Sequence, residues 1–486
     1  MPANYLPTSD EYLRILPEII LILTGIIIML IEAFRGPKDN PPFHAVTLGG
    51  IVAAFAGCFA STSGPAFHDM LAVDGFATFF RVIVLIVGAL TTLMSLSYLD
   101  REKADKGEFY GLLLFSLSGQ TLMCASNELI MIFIGLEISS IASYIMAGFM
   151  RDDKRNNEAA LKYFLLGSFA TAFMLYGVAW IYGITGTTNL EGIRQALVNN
   201  LPTIPMPAVG AACALMFVGF AFKVSAAPFQ VWAPDVYQGA PAPVSAFLSA
   251  GPKAAAFAVL LRTFMTAFSP ISNRWEPIVW GCALLSMLVG NFAALTQTNI
   301  KRMLAYSSIA HAGYVMIAVA SHSEIGTAAA MFYLAAYAFM NVGAFAIVTQ
   351  FSRKGERYVN ISDLAGLGKR QPLSAAMFSV FLLSLIGVPL TGGFMGKFYI
   401  FKAALDSDLI WLTVLGLLNS AVAAYYYLRI MVVMYFNEPG EGTALAEAPS
   451  MGMTAVLVGS ALGTVVLGVV PNFILNLATK SAAMFR

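Results

Sequence analysis

The chain has 486 residues, of which 58% are hydrophobic and 11% charged, and its formal net charge is +1. A soluble protein of this size coats its cores with roughly a quarter charged residues, so the composition excludes a soluble enzyme, a disordered chain and a nucleic-acid binder, and indicates a polytopic membrane protein. The near-zero net charge implies no large basic or acidic field.

A helix that crosses a bilayer needs about 20 apolar residues. That rule predicts fourteen segments, near 13–34, 43–62, 75–99, 109–126, 128–149, 159–184, 207–230, 242–268, 277–298, 300–320, 325–350, 372–404, 409–436 and 451–477. The first is not a signal peptide: it is long, Glu18 and Glu32 lie in or beside it, and no small-residue cleavage site follows. The longest gaps, 185–206, 351–371 and 437–450, read as ordinary loops, with a short interfacial helix over 190–200. Cys58, Cys124, Cys213 and Cys282 are at least 66 residues apart and lie in apolar runs. No zinc or iron–sulfur spacing can be written from them, and no phosphate loop is present, so no cofactor is expected on this chain.

Charge asymmetry predicts orientation. The odd-numbered connections carry fifteen Lys and Arg, among them Arg35, Lys38, Arg101, Arg155, Lys301 and Arg353, whereas the even-numbered ones carry Arg194 and Arg274. Odd connections are therefore expected in the cytoplasm and both termini on the outer, periplasmic side.

Ionisable side chains near the bilayer centre cost roughly 2.5–3.5 kcal/mol each on insertion scales and default to functional candidates. Glu137 lies nine residues after Glu128, roughly 13 Å along a helix axis. Its plainer reading is a protonated carboxyl or one tied to a hydroxyl such as Ser140. Lys223 stands before Pro228, which disturbs the carbonyl of Val224, so the helix is expected to break beside the lysine. Lys253 follows Pro252, about eleven residues and roughly 16 Å into the eighth segment. Lys397 follows Pro389, Gly392, Gly393 and Gly396 in a segment too long for one straight span. The plainer readings are snorkelling for Lys223 and Lys397 and a structural ion pair for Lys253. Lys162, four residues into the sixth segment, is as compatible with snorkelling as with function. His311 lies mid-span in the tenth and reads equally as core residue or relay. Arg262 and Arg429 read as interfacial or structural, and Asp235 as a gate or cap in the connection after segment seven.

Lys223 and Lys397 fall five segments apart, each beside a Pro/Gly break. An odd offset inverts the second unit in the membrane, the arithmetic of an inverted repeat. The expected fold is an all-α polytopic membrane protein of about 14 transmembrane helices. Two inverted five-helix repeats, segments 4–8 and 9–13, would carry broken helices 7 and 12. The corresponding divisions are 1–108, 109–268, 277–436 and 437–486.

The run FKVSAAPFQVWAPDVYQGAPAPVSAFLSAGPK at 222–253 closely resembles the signature of the antiporter-like subunits of respiratory complex I, a family that includes Mrp-type cation/proton antiporter subunits and membrane hydrogenase subunits. GLEISS around Glu137, EAALKYFLLGS around Lys162, KRMLAYSSIAHAGY at 301–314 and GVPLTGGFMGKFYIF at 387–401 match as well, so the likeness covers most of 110–436. The resemblance implies that Glu137 pairs with Lys223, that Lys253 is the central relay, that Lys397 hands protons to the outer side and that His311 bridges the last two. It also implies partners: other membrane subunits, including neighbouring antiporter-like subunits, in a lipid bilayer and without nucleic acid. NADH, flavin, iron–sulfur clusters and quinone would sit on those partners. The three spans before residue 109 match bacterial members and imply the bacterial cytoplasmic (inner) membrane. Lysine rather than glutamate at 397, and the lack of an appended lateral helix, point to one branch of the complex I subunits.

The mechanism this suggests is electrostatic. Parting Glu137 and Lys223 from about 4 to about 9 Å at an effective dielectric near 20 weakens their attraction by roughly 2.3 kcal/mol. That is enough to drive a proton along water toward Lys253 and Lys397. Three readings stay open at this point: a proton-pumping subunit powered by quinone reduction elsewhere, a cation/proton antiporter subunit, and a structural subunit that conducts nothing.

Overall fold

The computed structural model describes residues 6–36, 41–60, 62–104, 106–200, 204–439 and 448–485. Lys38, Arg486 and most of the 437–450 connection lie outside them. All fourteen predicted segments fall on helix. In chain order they are Leu16–Phe34, Phe43–Gly57, Gly75–Glu102, Gly107–Ala125, Leu129–Ala147, Lys154–Thr185, the pair Met206–Val224 and Trp232–Gly239, Ala242–Thr266, Ser272–Leu295, Ile300–Ala320, Glu324–Phe351, the pair Pro372–Ile386 and Gly392–Asp406, Ile410–Phe436, and Met451–Val469. These are segments one to fourteen. Eleven helices among the described residues are long and apolar enough to cross a membrane.

The contacts between connections establish the alternation. At one end, Arg155 donates to the Gly355 carbonyl at 3.0 Å, Gly355 N donates to Glu102 at 3.0 Å, Ile300 N bonds the Val359 carbonyl at 2.8 Å and Arg302 pairs with Asp235 at 2.6 Å. These contacts join only odd-numbered connections and the helix ends beside them. At the other end, Asn127 N bonds the Met70 carbonyl at 2.9 Å, Asn189 donates to the Asp69 carbonyl at 3.2 Å and Ser407 to the Ser321 carbonyl at 2.9 Å. Both chain ends meet this second group. Arg14 donates to the Thr62 carbonyl at 3.2 Å, and the Phe485 ring packs 5.0 Å from Phe76.

Several local features depart from expectation. The fourteenth segment stops at Val469, and a separate helix, Asn472–Ala482, follows. Pro471 cannot donate to the helix ladder and biases Val470 away from helical dihedrals, and Val470 sits at φ −126°, ψ 61°. The connection before segment three holds an antiparallel hairpin, Gly64–Ala66 against Leu71–Val73, turned by Phe67, His68 and Asp69, all with positive φ. A helical turn, Ser9–Arg14, precedes segment one and is closed by a Thr8/Glu11 capping box. The predicted interfacial helix is present as Leu190–Asn200.

Segments eight, ten and eleven are buried almost throughout, and the others ring them with one face outward. Close approach in the ring depends on small residues. A Cβ on Gly119 would stand 2.6 Å from both the Gly135 carbonyl oxygen and Ser139 N. Both are main-chain atoms, so segments four and five touch backbone to backbone. Gly119→Val is expected to part these helices and lower stability by about 1–3 kcal/mol. Thermal unfolding of the purified complex checks this, with Gly49→Val, whose Cβ would meet nothing within 4 Å, as the variant expected to leave it unchanged.

Candidate functional site

Segment seven ends as the Pro228 argument expects. Its helix stops at Val224, Ser225 turns left-handed at φ 61°, and the chain resumes helix at Trp232. Among the described residues Lys223 makes no hydrogen bond to a carbonyl at this break, where Phe222 O accepts from Trp232 Nε1 at 2.9 Å and from Ser225 N at 3.1 Å. The buried ammonium lies instead over the rings of Tyr144 and Tyr163, at 5.3 and 5.2 Å from their centroids. Trp232 stacks on Tyr163 at 4.4 Å and so braces this aromatic seat.

Glu137 is half-buried on the face of segment five that carries exposed Ile134, Ile138 and Ile141. Its Oε1 is buried without a hydrogen-bond partner among the described residues. Ser140 does not hold it, since that hydroxyl donates to the Leu136 carbonyl. Among the described residues Glu137 makes no ion pair with Lys223 within 4.0 Å, so the direct contact implied by the resemblance is not formed in this state.

Lys253 is fully enclosed in segment eight, one residue after the in-helix Pro252. Its Nζ donates to the Ser308 carbonyl at 2.9 Å and to the Ser308 hydroxyl, and lies over the Tyr337 ring at 5.9 Å. One turn along segment ten, His311 bonds the Tyr333 hydroxyl through Nδ1 at 2.5 Å and the Tyr427 hydroxyl through Nε2 at 3.2 Å. Tyr427 in turn bonds Ser307.

Segment twelve breaks between Ile386 and Gly392, with Gly387 left-handed at φ 93°. Here the lysine does take the freed carbonyls. Lys397 Nζ donates to Leu385 O at 3.1 Å, Ile386 O at 2.8 Å and Ser420 Oγ at 2.8 Å, with the Tyr314 ring 4.7 Å away. The structure thus arrays three buried ammonium groups, an imidazole and a set of tyrosine and serine hydroxyls through the middle of the bundle.

The family described as NADH:quinone oxidoreductase/Mrp antiporter, transmembrane, matches residues 126–423. NADH-quinone oxidoreductase subunit N 1 of Solibacter usitatus is 64% identical over 490 residues and covers 100% of both chains. The chain belongs to the subunit N family of NADH–quinone oxidoreductase. Among solved structures, a chain of respiratory complex I from Thermus thermophilus with bound aureothin is 34% identical at a TM-score of 0.80, covering 95% of this chain and 99% of that one. A chain of the Mrp complex from a Dietzia species is 20% identical at a TM-score of 0.85 over 98% of each, a likeness of fold alone. As a subunit N, the chain is a multi-pass membrane component of respiratory complex I.

Lys162 stands apart from the central series. It is 41% exposed and pairs with Glu158 at 2.6 Å and with Asp235 at 2.8 Å. Asp235 lies on the helix Trp232–Gly239 and also takes Arg302. Sequence reasoning passed over the hydroxyl lining, although Ser308, His311 and Tyr314 share one face of segment ten at three-residue spacing. It also passed over Arg81, which is buried and pairs with Glu18 at 2.8 Å, and left Asp74 unpaired with Arg262, which meets it at 2.8 and 3.0 Å. The depth rule that selected Glu137 selects Arg81 too. The Arg81–Glu18 pair joins segments three and one, and the Arg262–Asp74 pair ties the start of segment three to segment eight.

Removing one partner of a buried pair strands the other, at about 3–5 kcal/mol. Arg81→Met is therefore expected to lower the thermal stability of the purified complex by that amount. Arg81→Met combined with Glu18→Gln is expected to lower it less, because both charges leave together.

Proposed function

We propose that this subunit N moves protons along Glu137, Lys223, Lys253, His311 and Lys397. The observation that carries the reading is the series of three ammonium groups held in the bundle interior, each beside aromatic or hydroxyl groups. Lys223 takes the first proton and Glu137 sets how tightly it is held. Lys253, on Ser308, is the central acceptor. His311, between Tyr333 and Tyr427, spans the gap toward Lys397, which releases to the outer side. Lys162, with Asp235 and Arg302, forms the charged rim on the opposite side. Segments 4–8 and 9–13 act as two inverted units, a division supported by the matching breaks in segments seven and twelve.

The chain does no redox chemistry in this reading. Quinone reduction on partner subunits, which carry NADH, flavin and iron–sulfur clusters, supplies the energy. The half-buried Glu137, flanked by exposed isoleucines, supports a neighbouring antiporter-like subunit over segment five. Meeting of both chain ends at the end opposite the basic connections supports termini on the periplasmic side of the bacterial inner membrane.

Lys223→Met is expected to abolish proton translocation through this subunit. The measurement is NADH-driven proton pumping in membrane vesicles at matched assembly, with quinone-linked NADH oxidation followed in parallel. Normal pumping would sink the assignment.

A further inference from the structure

Lys301 enters a sequence-level charge census as one of the basic residues of the ninth connection, yet the structure buries it completely. It pairs at 2.5 Å with Glu356, which is 8% exposed and comes from the connection after segment eleven. The two side chains grip one turn of backbone from both sides. Lys301 Nζ donates to the Ala240 carbonyl at 2.5 Å, and Glu356 Oε1 accepts from Ala242 N at 2.7 Å. Between them is Pro241, where the second half of segment seven hands over to segment eight. Glu356 Oε1 also accepts from Tyr98 of segment three at 2.9 Å. The Glu356 connection is itself fixed to the start of segment ten, with Ile300 N on Val359 O and Ile361 N on Thr298 O, both at 2.8 Å.

This clasp therefore joins the first residues of segments eight and ten, which leave it side by side in the same direction. Lys253 lies eleven residues along one, about 16 Å, and Ser308 eight residues along the other, about 12 Å. Side chains on a helix tilt back toward its N-terminus, so Lys253 reaches back to Ser308 and bonds it at 2.9 Å. A slip of one residue, about 1.5 Å, breaks that bond.

We propose that Lys301 and Glu356 are positioning residues that set the register of Lys253 against Ser308, and so act on proton transfer from two to three helical turns away. This rests on the route through Lys253 proposed above. The clasp differs from a simple ion pair in its polarity. Lys301 must donate to a carbonyl and Glu356 must accept from an N–H, so exchanging the charges restores the attraction but not the grip on 240–242.

The test is NADH-driven proton translocation at matched assembly, with Lys253→Met as the reference. Glu356→Gln and Lys301→Met are each expected to lose at least half as much translocation as Lys253→Met. The exchange Lys301→Glu with Glu356→Lys is expected not to recover it. Full translocation in Glu356→Gln, or recovery by the exchange, would overturn the proposal while leaving the route intact. Full translocation in Lys253→Met would overturn the route itself. Where Glu356→Gln fails to assemble, Glu356→Asp keeps the charge and shortens the reach by one methylene. It is expected to lose translocation in the assembled complex, and full translocation there counts equally against the clasp.

Discussion

The energetic constraint on this structure is the placing of ammonium groups in the interior of a membrane protein. Each costs roughly 2.5–3.5 kcal/mol on insertion scales, and each is offset in a different way. Lys397 uses the carbonyl end of a half-helix, where unsatisfied C=O groups and the helix dipole both favour a cation. Lys253 uses the hydroxyl and carbonyl of Ser308. Lys223 uses two tyrosine faces. The irregular backbone follows from these needs. The Lys397 seat exists because Gly392 and Gly393 let two half-helices overlap: a Cβ on Gly393 would fall 1.9 Å from the Ser384 carbonyl oxygen.

Tyrosine and serine dominate the lining for a related reason. A tyrosine buries a large apolar body and still brings a hydroxyl to the axis. Tyr333 and Tyr427 hold His311 from both ring nitrogens. The buried hydroxyls of Tyr144, Tyr237 and Tyr337 make no close hydrogen bond among the described residues, although Ser140, Ser225 and Ser308 lie near them, and so leave donor and acceptor capacity along the series. Buried polar groups normally find partners, and three such hydroxyls in one region distinguish this interior from an ordinary apolar core.

Much of this was legible in the sequence. Charge is scarce, so Glu137, Lys223, Lys253 and Lys397 stand out against apolar runs, and Pro228 and the Gly392–Gly393 pair mark both breaks. What hydropathy cannot supply is azimuth. It gives the height of Glu137 and Lys223 in the membrane but not the rotation that keeps them out of contact. It cannot tell Lys301, buried on Glu356, from Arg302 beside it, which pairs at the half-exposed rim with Asp235. The end of segment fourteen was missed because Asn472–Ala482 is apolar enough to extend a hydropathy window, although Pro471 divides it from Met451–Val469.

The absence of a Glu137–Lys223 contact bears on how such a site can be driven. Two opposite charges at about 4 Å attract by about 4 kcal/mol at an effective dielectric near 20. A desolvated ammonium over an aromatic face gains about 2 kcal/mol per ring, and Lys223 has two faces in reach. The paired arrangement and the aromatic seat are thus of similar strength, so neither is a deep trap. An element whose two states lie within a few kcal/mol is moved by any perturbation that favours one of them. In the proposed route Glu137, half-buried on an outward face, is the partner of the two that a neighbouring subunit would reach. A displacement there need only decide which of two nearly balanced seats the Lys223 charge occupies.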